Sequence, residues 1–384
     1  MQLAPSRWLS LFYIHFYLGW GIYLPFWSLW LKGQTLAPAM IGLLLGLAQA
    51  TRAVGALLIT TRVKRASQLL PASRLLALAT VLIFTGFLLP QSLPLLVLLT
   101  VVGSLLYAPL MPLGDAIATR MVAQTGMDYG RVRLWGSIAF VVASTAMGSI
   151  TGSFGANAVL WCLLLTQLLM LLGTLPGLTA PLDDGPAAEP ATHWLTLLKK
   201  PQLRRFLLIT VCIQGSHAAY YGFSAIYWQQ QGLSAGVIGA LWSWGVVVEV
   251  AVFYFARRLF SQTPAATLLA LGACAVMVRW TGTSYATALW QLIALQALHG
   301  MTFTVSHLGA IRFISKELPQ AHAVGSQALY SAFALSLAVA LMMLLCGALF
   351  ASWGSHIFLL MAALGLPALL LSVGLNPPRQ QKGA

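Results

Sequence analysis

Long apolar runs recur along this chain so closely that no soluble domain fits between them, and this pattern constrains the fold more than any other feature. A membrane-spanning helix takes about 20 apolar residues. Runs of that length lie near 8–31, 39–61, 69–89, 92–118, 134–154 and 156–178, then near 206–229, 236–256, 265–284, 286–311, 325–350 and 354–375. Strands of a membrane β-barrel would alternate in polarity over roughly 10 residues; residues 93–106 are instead apolar almost without a break. The expectation is an all-α membrane protein with twelve transmembrane helices. Composition agrees: 7% of residues are charged, against about 25% in soluble domains. A hydrophobic content of 59% excludes a disordered chain.

The formal net charge of +14 fits a nucleic-acid partner only until the basic residues are located. They sit between the apolar runs, which makes them a topology signal and predicts no nucleic-acid binding. Arg7, Arg62, Lys64, Arg65, Arg74, Arg120, Arg131, Lys199, Lys200, Arg204, Arg205, Arg257, Arg258, Arg312, Lys316, Arg379 and Lys382 fall at one set of span ends. Lys32 alone falls at the other, and Arg52, Arg133 and Arg279 lie within or at the edge of spans. By the positive-inside rule this split predicts cytoplasmic termini and an even number of spans.

The longest polar stretch, 179–205, carries four prolines and three of the seven acids. It predicts a cytoplasmic linker between an N-terminal six-helix bundle, 1–178, and a C-terminal one, 206–384. Trp194, Leu195, Leu197 and Leu198 ahead of Lys199 and Lys200 predict a short helix within it. The halves echo each other: FWSLWLKG before MIGLLLGLAQATRA parallels AIYWQQQG before VIGALWSWGVVVEV. Aligning Ile41-Gly42 with Ile238-Gly239 sets an offset of 197 and drops Arg52 onto Glu249. Internal repetition of this kind is typical of secondary transporters, whose sites lie near the bilayer midplane.

Other classes lack their residues. The chain has no GxxxxGK[ST] loop for an ATPase, no HExxH or GxSxG motif for an enzyme and no repeated filter loop for a channel. Cys162, Cys212, Cys274 and Cys346 are scattered through apolar runs without CxxC spacing, which predicts structural thiols, no metal and no cofactor. The first apolar run lacks the small-residue cleavage site of a signal peptide.

An ionisable residue at a helix centre costs roughly 2.5–3.5 kcal/mol, so each one present is a functional candidate. Five stand out: Arg52, Asp115, Arg133, Glu249 and Arg279, with His15, His217, His299 and His307 as titratable supplements. Asp115 is expected near the end of the fourth span and Arg133 at the start of the fifth. Glu249 is the only acid in the 111 residues from Phe206 to Lys316, and a proton-exchanging role competes there with a static ion pair. His299 and His307 are eight residues apart, not the four of a two-histidine metal site. Three interior arginines against two acids favour an anionic substrate. Aromatic residues crowd the first and seventh spans; Tyr23 and Tyr220 are placed to line a cavity, Trp30 and Trp228 to sit in the interfacial belt.

LPFWSLWLKG, DYGRVRLWGS, HAAYYGFSAIYWQ and LWSWGVVVEV give the chain a resemblance to the bacterial 3-phenylpropionic acid transporter group of the major facilitator superfamily. That resemblance implies the major facilitator fold and kinship with the proton-coupled oligosaccharide and nucleoside permeases. In the lactose permease pattern a fourth-span carboxylate and a fifth-span arginine 18 residues on recognise substrate, and Asp115 and Arg133 stand at that separation. Glu249 resembles the eighth-span acid, and Arg279 with His299 matches a ninth- and tenth-span arginine–histidine pair. Departures occur too: the pattern's proton-carrying glutamate is Thr302, its lysine is Gln296, its seventh-span acid is His217, and the loop between spans two and three lacks its aspartate at Thr60 or Thr61.

Together these readings predict a proton-coupled importer of a small aromatic carboxylate, monomeric and working by alternating access. Arg133 or Arg279 holds the carboxylate, with Arg52 ranked third; Asp115 orients Arg133, and Glu249 with His299 and His217 exchanges the proton. The alternatives are a symporter of sugars or nucleosides, an exporter of lipophilic acids or drugs, and a membrane sensor.

Overall fold

The computed structural model describes residues 2–183 and 194–375. The centre of the predicted linker, 184–193, and the tail bearing Arg379 and Lys382 lie outside the described residues. Twelve helical stretches follow one another among the described residues. They are α1 Pro5–Gly33, α2 Pro38–Thr60, α3 Ala66–Leu88, α4 Leu93–Thr125, α5 Tyr129–Phe154 and α6 Ala158–Thr174. After a short helix at Trp194–Leu198 come α7 201–230, α8 Ala235–Phe260, α9 Ala265–Tyr285, α10 289–317, α11 320–353 and α12 354–373. By length and composition, α2 to α5, α8, α9 and the stretch Gln320–Val373 are apolar enough to cross a membrane, and α6 is apolar but shorter.

Two boundaries differ from expectation. Helix α4 runs to Thr125 and α5 begins at Tyr129, so the polar stretch between the fourth and fifth spans is helical except for three residues. Gly126 ends α4 in the left-handed conformation (φ 68°), which only glycine adopts cheaply, and the Asp128 carboxylate caps α5 by accepting from the Arg131 amide at 3.1 Å. Asp115 therefore lies ten residues inside its helix rather than at its end.

The chain divides into two compact units. The first comprises Met1–Ala187 with Tyr221–Ser243; the second comprises Ala188–Tyr220 with Trp244–Ala384. In the first, α1 packs along α5 and α6, and α2 packs along the first half of α4. Two of these crossings are backbone-close: a methyl group on Gly21 would meet Phe140 O at 2.6 Å and one on Gly55 would meet Leu105 O at 2.2 Å, so only glycine fits. In the second unit, α9 packs along α12 and α10, and the start of α7 packs against α11 and α12.

The basic residues cap helix ends. Arg74 donates to the carbonyls of Thr174, Leu175 and Pro176 at 2.8–3.2 Å, and Arg205 to Leu371 O at 2.7 Å, closing the C-termini of α6 and α12. Trp30 and Trp228, expected in the interfacial belt, are instead 2% and 1% exposed. Trp30 stacks on Trp27 at 4.4 Å and meets Phe87 edge-on, because α1 presents Trp20, Tyr23, Trp27 and Trp30 as one stacked ladder at helical spacing.

Candidate functional site

The three interior arginines occupy three different environments. In the first, Asp115 of α4 and Arg133 of α5 approach the same tyrosines of α1. The Asp115 carboxylate accepts from Tyr13 OH at 2.7 Å and Tyr129 OH at 3.2 Å. The Arg133 guanidinium donates to Tyr17 OH and lies over the Tyr17 and Tyr13 rings, at 4.3 and 5.3 Å from their centroids. Among the described residues Asp115 and Arg133 form no direct salt bridge. The expectation that Asp115 orients Arg133 thus takes an indirect form, through Tyr13, which bonds one with its hydroxyl and faces the other with its ring.

The second environment is a cleft of the first unit holding Arg52 of α2. The guanidinium lies 3.8 Å from the centroid of the Trp20 ring, a cation–π contact at close range. The cleft is lined by Gly19, Trp20 and Tyr23 of α1, Phe84 of α3, Gly103, Ser104 and Tyr107 of α4, and Leu163 and Gln167 of α6. Its space, gaps between wall atoms and the open mouth included, is about 350 Å³, of which about 30 Å³ admits the centre of a water-sized molecule. Among the described residues no carboxylate stands within salt-bridge distance of Arg52. Tyr23, expected to face a cavity, lines this one.

The third environment is a polar network in the second unit. Arg279 of α9 is fully buried. It donates to Gln296 Oε1 at 2.7 Å, Thr302 Oγ1 at 2.9 Å and His299 Nδ1 at 3.0 Å, all on α10. Its guanidinium lies over the Trp280 and Tyr220 rings at 4.2 and 4.8 Å. Gln296 in turn donates to Tyr220 OH at 2.9 Å, so Tyr220 belongs to this network and is 1% exposed. Helix α7 breaks at Ser216–His217, which turns the His217 ring inward: Nδ1 stands 3.1 Å from Ile213 O and Nε2 3.1 Å from Thr302 Oγ1.

The partners dictate where the protons sit. An arginine only donates, so His299 Nδ1 accepts and the ring proton is on Nε2, which faces Glu249 Oε2 of α8 at 3.5 Å. A carbonyl only accepts, so His217 carries its proton on Nδ1 and takes the Thr302 hydroxyl proton on Nε2. Thr302 thus accepts from Arg279 and donates to His217, joining α9, α10 and α7. The Glu249 side chain is 23% exposed, the most open member of the Glu249–His299–Arg279 line.

His307 lies outside that network, 3.1 Å from Tyr330 OH, and its ring stacks on Phe303, which stacks on His299. The segment Gly300–Val305 is π-helical, and its slower rotation per residue cancels the drift that eight α-helical residues would give. His15 packs against Gly173 and its Nδ1 finds no partner among the described residues. Among the described residues no group of three His, Cys, Asp or Glu side chains is arranged to hold a metal.

Sequence reading singled out the charges but missed the cleft walls Tyr107 and Gln167. Gln167 carried a usable signal, an amide inside the apolar run LLLTQLLMLL.

The chain matches the MFS_1 like family over residues 6–361. It is 42% identical over 374 residues, 97% of this chain and 98% of the relative, to the "Probable 3-phenylpropionic acid transporter" of Escherichia coli strain K12. It is 26% identical over 84% of its length to the "Maltose permease" of Geobacillus stearothermophilus, covering 82% of that protein. In structure it is similar to the nucleoside transporter NupG, with a TM-score of 0.80 at 14% identity over 97% of this chain and 99% of that one. A D-xylose-proton symporter gives a TM-score of 0.67 at 13% identity, over 96% of each chain. Twelve helical stretches among the described residues, charges withdrawn into polar networks and these matches agree: the chain belongs to the MFS_1 like family and is a multi-pass membrane transporter with the major facilitator fold, not an enzyme.

Proposed function

We propose that the protein imports a small aromatic carboxylate, 3-phenylpropionate or a close relative, together with a proton, from an inner membrane in which both its termini are cytoplasmic. It works as a monomer, by alternating access of two six-helix bundles. The observation that carries the reading is Arg52, a cation over the Trp20 ring in an aromatic cleft where no carboxylate among the described residues neutralises it. A cation held within a span without a counter-charge is costly, and a substrate carboxylate would remove that cost while its ring met Trp20, Tyr23, Phe84 and Tyr107. The name of the Escherichia coli relative supports the choice of acid.

The arginines are therefore reordered. Arg52 binds the carboxylate, Arg133 is the second choice, and Arg279 fixes the network that holds the proton site. Glu249 exchanges the proton. His299 passes the influence of Arg279 to it: with Nδ1 committed to Arg279, the imidazole offers only its Nε2 proton to the carboxylate. His217 and Thr302 hold Arg279 in place from the other side. One proton entering with one carboxylate carries no net charge, so a negative-inside potential does not oppose uptake.

Uptake of labelled 3-phenylpropionate into right-side-out vesicles under an imposed inward proton gradient tests this reading. Accumulation is expected, with collapse on adding a protonophore. Competition by maltose or nucleosides, and none by aromatic acids, would replace the reading with that of a sugar or nucleoside symporter.

A further inference from the structure

A groove between the first turns of α1 and α5 is far roomier than the Arg52 cleft: about 510 Å³ of it admits the centre of a water-sized molecule. Arg7, Leu11 and Ile14 line it from α1, and Arg131 and Trp135 from α5. Arg131 and Trp135 are four residues apart and share a face of their helix, whereas Arg133, between them, points the other way to Tyr17. The groove therefore lies on the side of α5 turned from the polar interior, where Leu11 and Trp135 are 37% and 49% exposed. Its character changes along its length. Arg7 and Arg131 stand in the first turns of their helices, and the wall becomes apolar toward Ile14, about 10 Å further along the axis of α1.

The charge at the polar end is not balanced. Arg131 pairs with Asp128 at 3.2 Å, but among the described residues Arg7 makes no ion pair or hydrogen bond. Two arginines against one aspartate leave one positive charge. Arg7 also occupies the first turn of α1, where the free amides of a helix end favour an anion and no acidic side chain is present. Ser6 and Ser10, both lining the groove, make no side-chain hydrogen bond among the described residues and are free to donate. We propose that this groove seats an anionic phospholipid, with its phosphodiester at the end marked by Arg7 and Arg131 and the start of an acyl chain along Leu11, Ile14 and Trp135. Basic recesses between membrane helices suit such headgroups, and an indole suits the depth at which head meets chain. A free phosphate would use the charges and leave the apolar wall bare. A zwitterionic lipid would bring a cation of its own beside Arg7.

The test is lipid retention by the full-length protein in detergent, read by native mass spectrometry after incubation with equal amounts of phosphatidylglycerol and phosphatidylcholine carrying the same chains. Phosphatidylglycerol is expected to be retained about fivefold more, the preference one net charge near the surface confers. Arg7→Gln, which breaks no contact among the described residues, should bring the ratio to within about twofold. Arg257→Gln, which removes an exposed arginine from the end of α8, should leave it unchanged. Trp135→Ala should weaken retention of both lipids and keep their ratio. Equal retention of the two lipids by the unmodified protein overturns the inference, as does an equal fall in both arginine variants, which would make the preference a matter of overall charge. Unchanged retention in Trp135→Ala would take the acyl chain out of the groove and overturn it too. Loss of the preference on adding inorganic phosphate at constant ionic strength would assign the polar end to a free anion instead.

Discussion

Arg52 and Arg279 are both arginines drawn into the interior of an apolar helix, and the two units treat them in opposite ways. Arg279 is fully buried, with three side-chain acceptors from α10 fanned around it and a carboxylate one imidazole away. Arg52 has an indole face and a cleft. The contrast is sharper because the chain repeats itself: Arg52 is fourteen residues after Pro38, the first residue of α2, and Glu249 is fourteen residues after Ala235, the first of α8. One repeat places a cation where the other places an acid. The acid is joined through an imidazole to a buried network, whereas the cation is left for something that arrives. The comparison teaches that an arginine held by several side-chain acceptors fastens a structure, and that one lacking a counter-charge points to a ligand.

The largest effect expected from breaking this contrast is at the acid. Glu249→Gln should abolish uphill accumulation while preserving exchange of labelled for unlabelled acid across energy-depleted vesicles; retained concentration against a gradient would remove Glu249 from the coupling step. Arg279→Ala should next cost about 3–5 kcal/mol of stability, because it strands Gln296, His299 and Thr302 and removes the balancing charge of Glu249, and a lowered melting temperature in detergent reads this directly. Arg52→Gln should behave in the reverse sense. Its melting temperature should not fall, since an uncompensated charge has left the span, but its affinity for the acid should drop by about 2–3 kcal/mol, roughly 30- to 150-fold, in counterflow. Equal thermal losses in the two arginine variants would erase the distinction drawn here.

Two smaller changes sharpen it. Thr302→Val removes the hydroxyl that Arg279 and His217 share, with an expected loss of about 1–2 kcal/mol on a chemical-denaturation curve. Tyr13→Phe removes one donor to Asp115 and should lower apparent substrate affinity by no more than about threefold, because Tyr129 remains as a second donor. A loss at Tyr13 as large as that at Arg52 would return the Asp115–Arg133 pair to the centre of recognition.

The site was half legible in advance. Arg52, Asp115, Arg133, Glu249 and Arg279 announce themselves because a charge inside an apolar run is visible in one dimension. Their order of importance is not: Arg133 and Arg279 look better placed than Arg52 until their partners are known, and those partners are Tyr17 and His299, 116 and 20 residues away. The line-up of His299, Phe303 and His307 was equally hidden, since a π-helical segment leaves no mark in the spacing of apolar residues. Asp115 was expected near a helix end because polarity rises after it, yet Gly126 and Asp128 let two long helices meet across three residues.

What the sequence by itself determined is the membrane class, the number of helices, and the short list of side chains that apolar surroundings would not tolerate without a reason. These are local properties: a bilayer demands about 20 apolar residues per span and internal hydrogen bonds, and a single stretch of chain either provides them or does not. Only the tertiary structure decided which arginine is satisfied and which is waiting. Hydrogen bonds to a buried guanidinium come from another helix, and whether they converge on it depends on how the two helices cross.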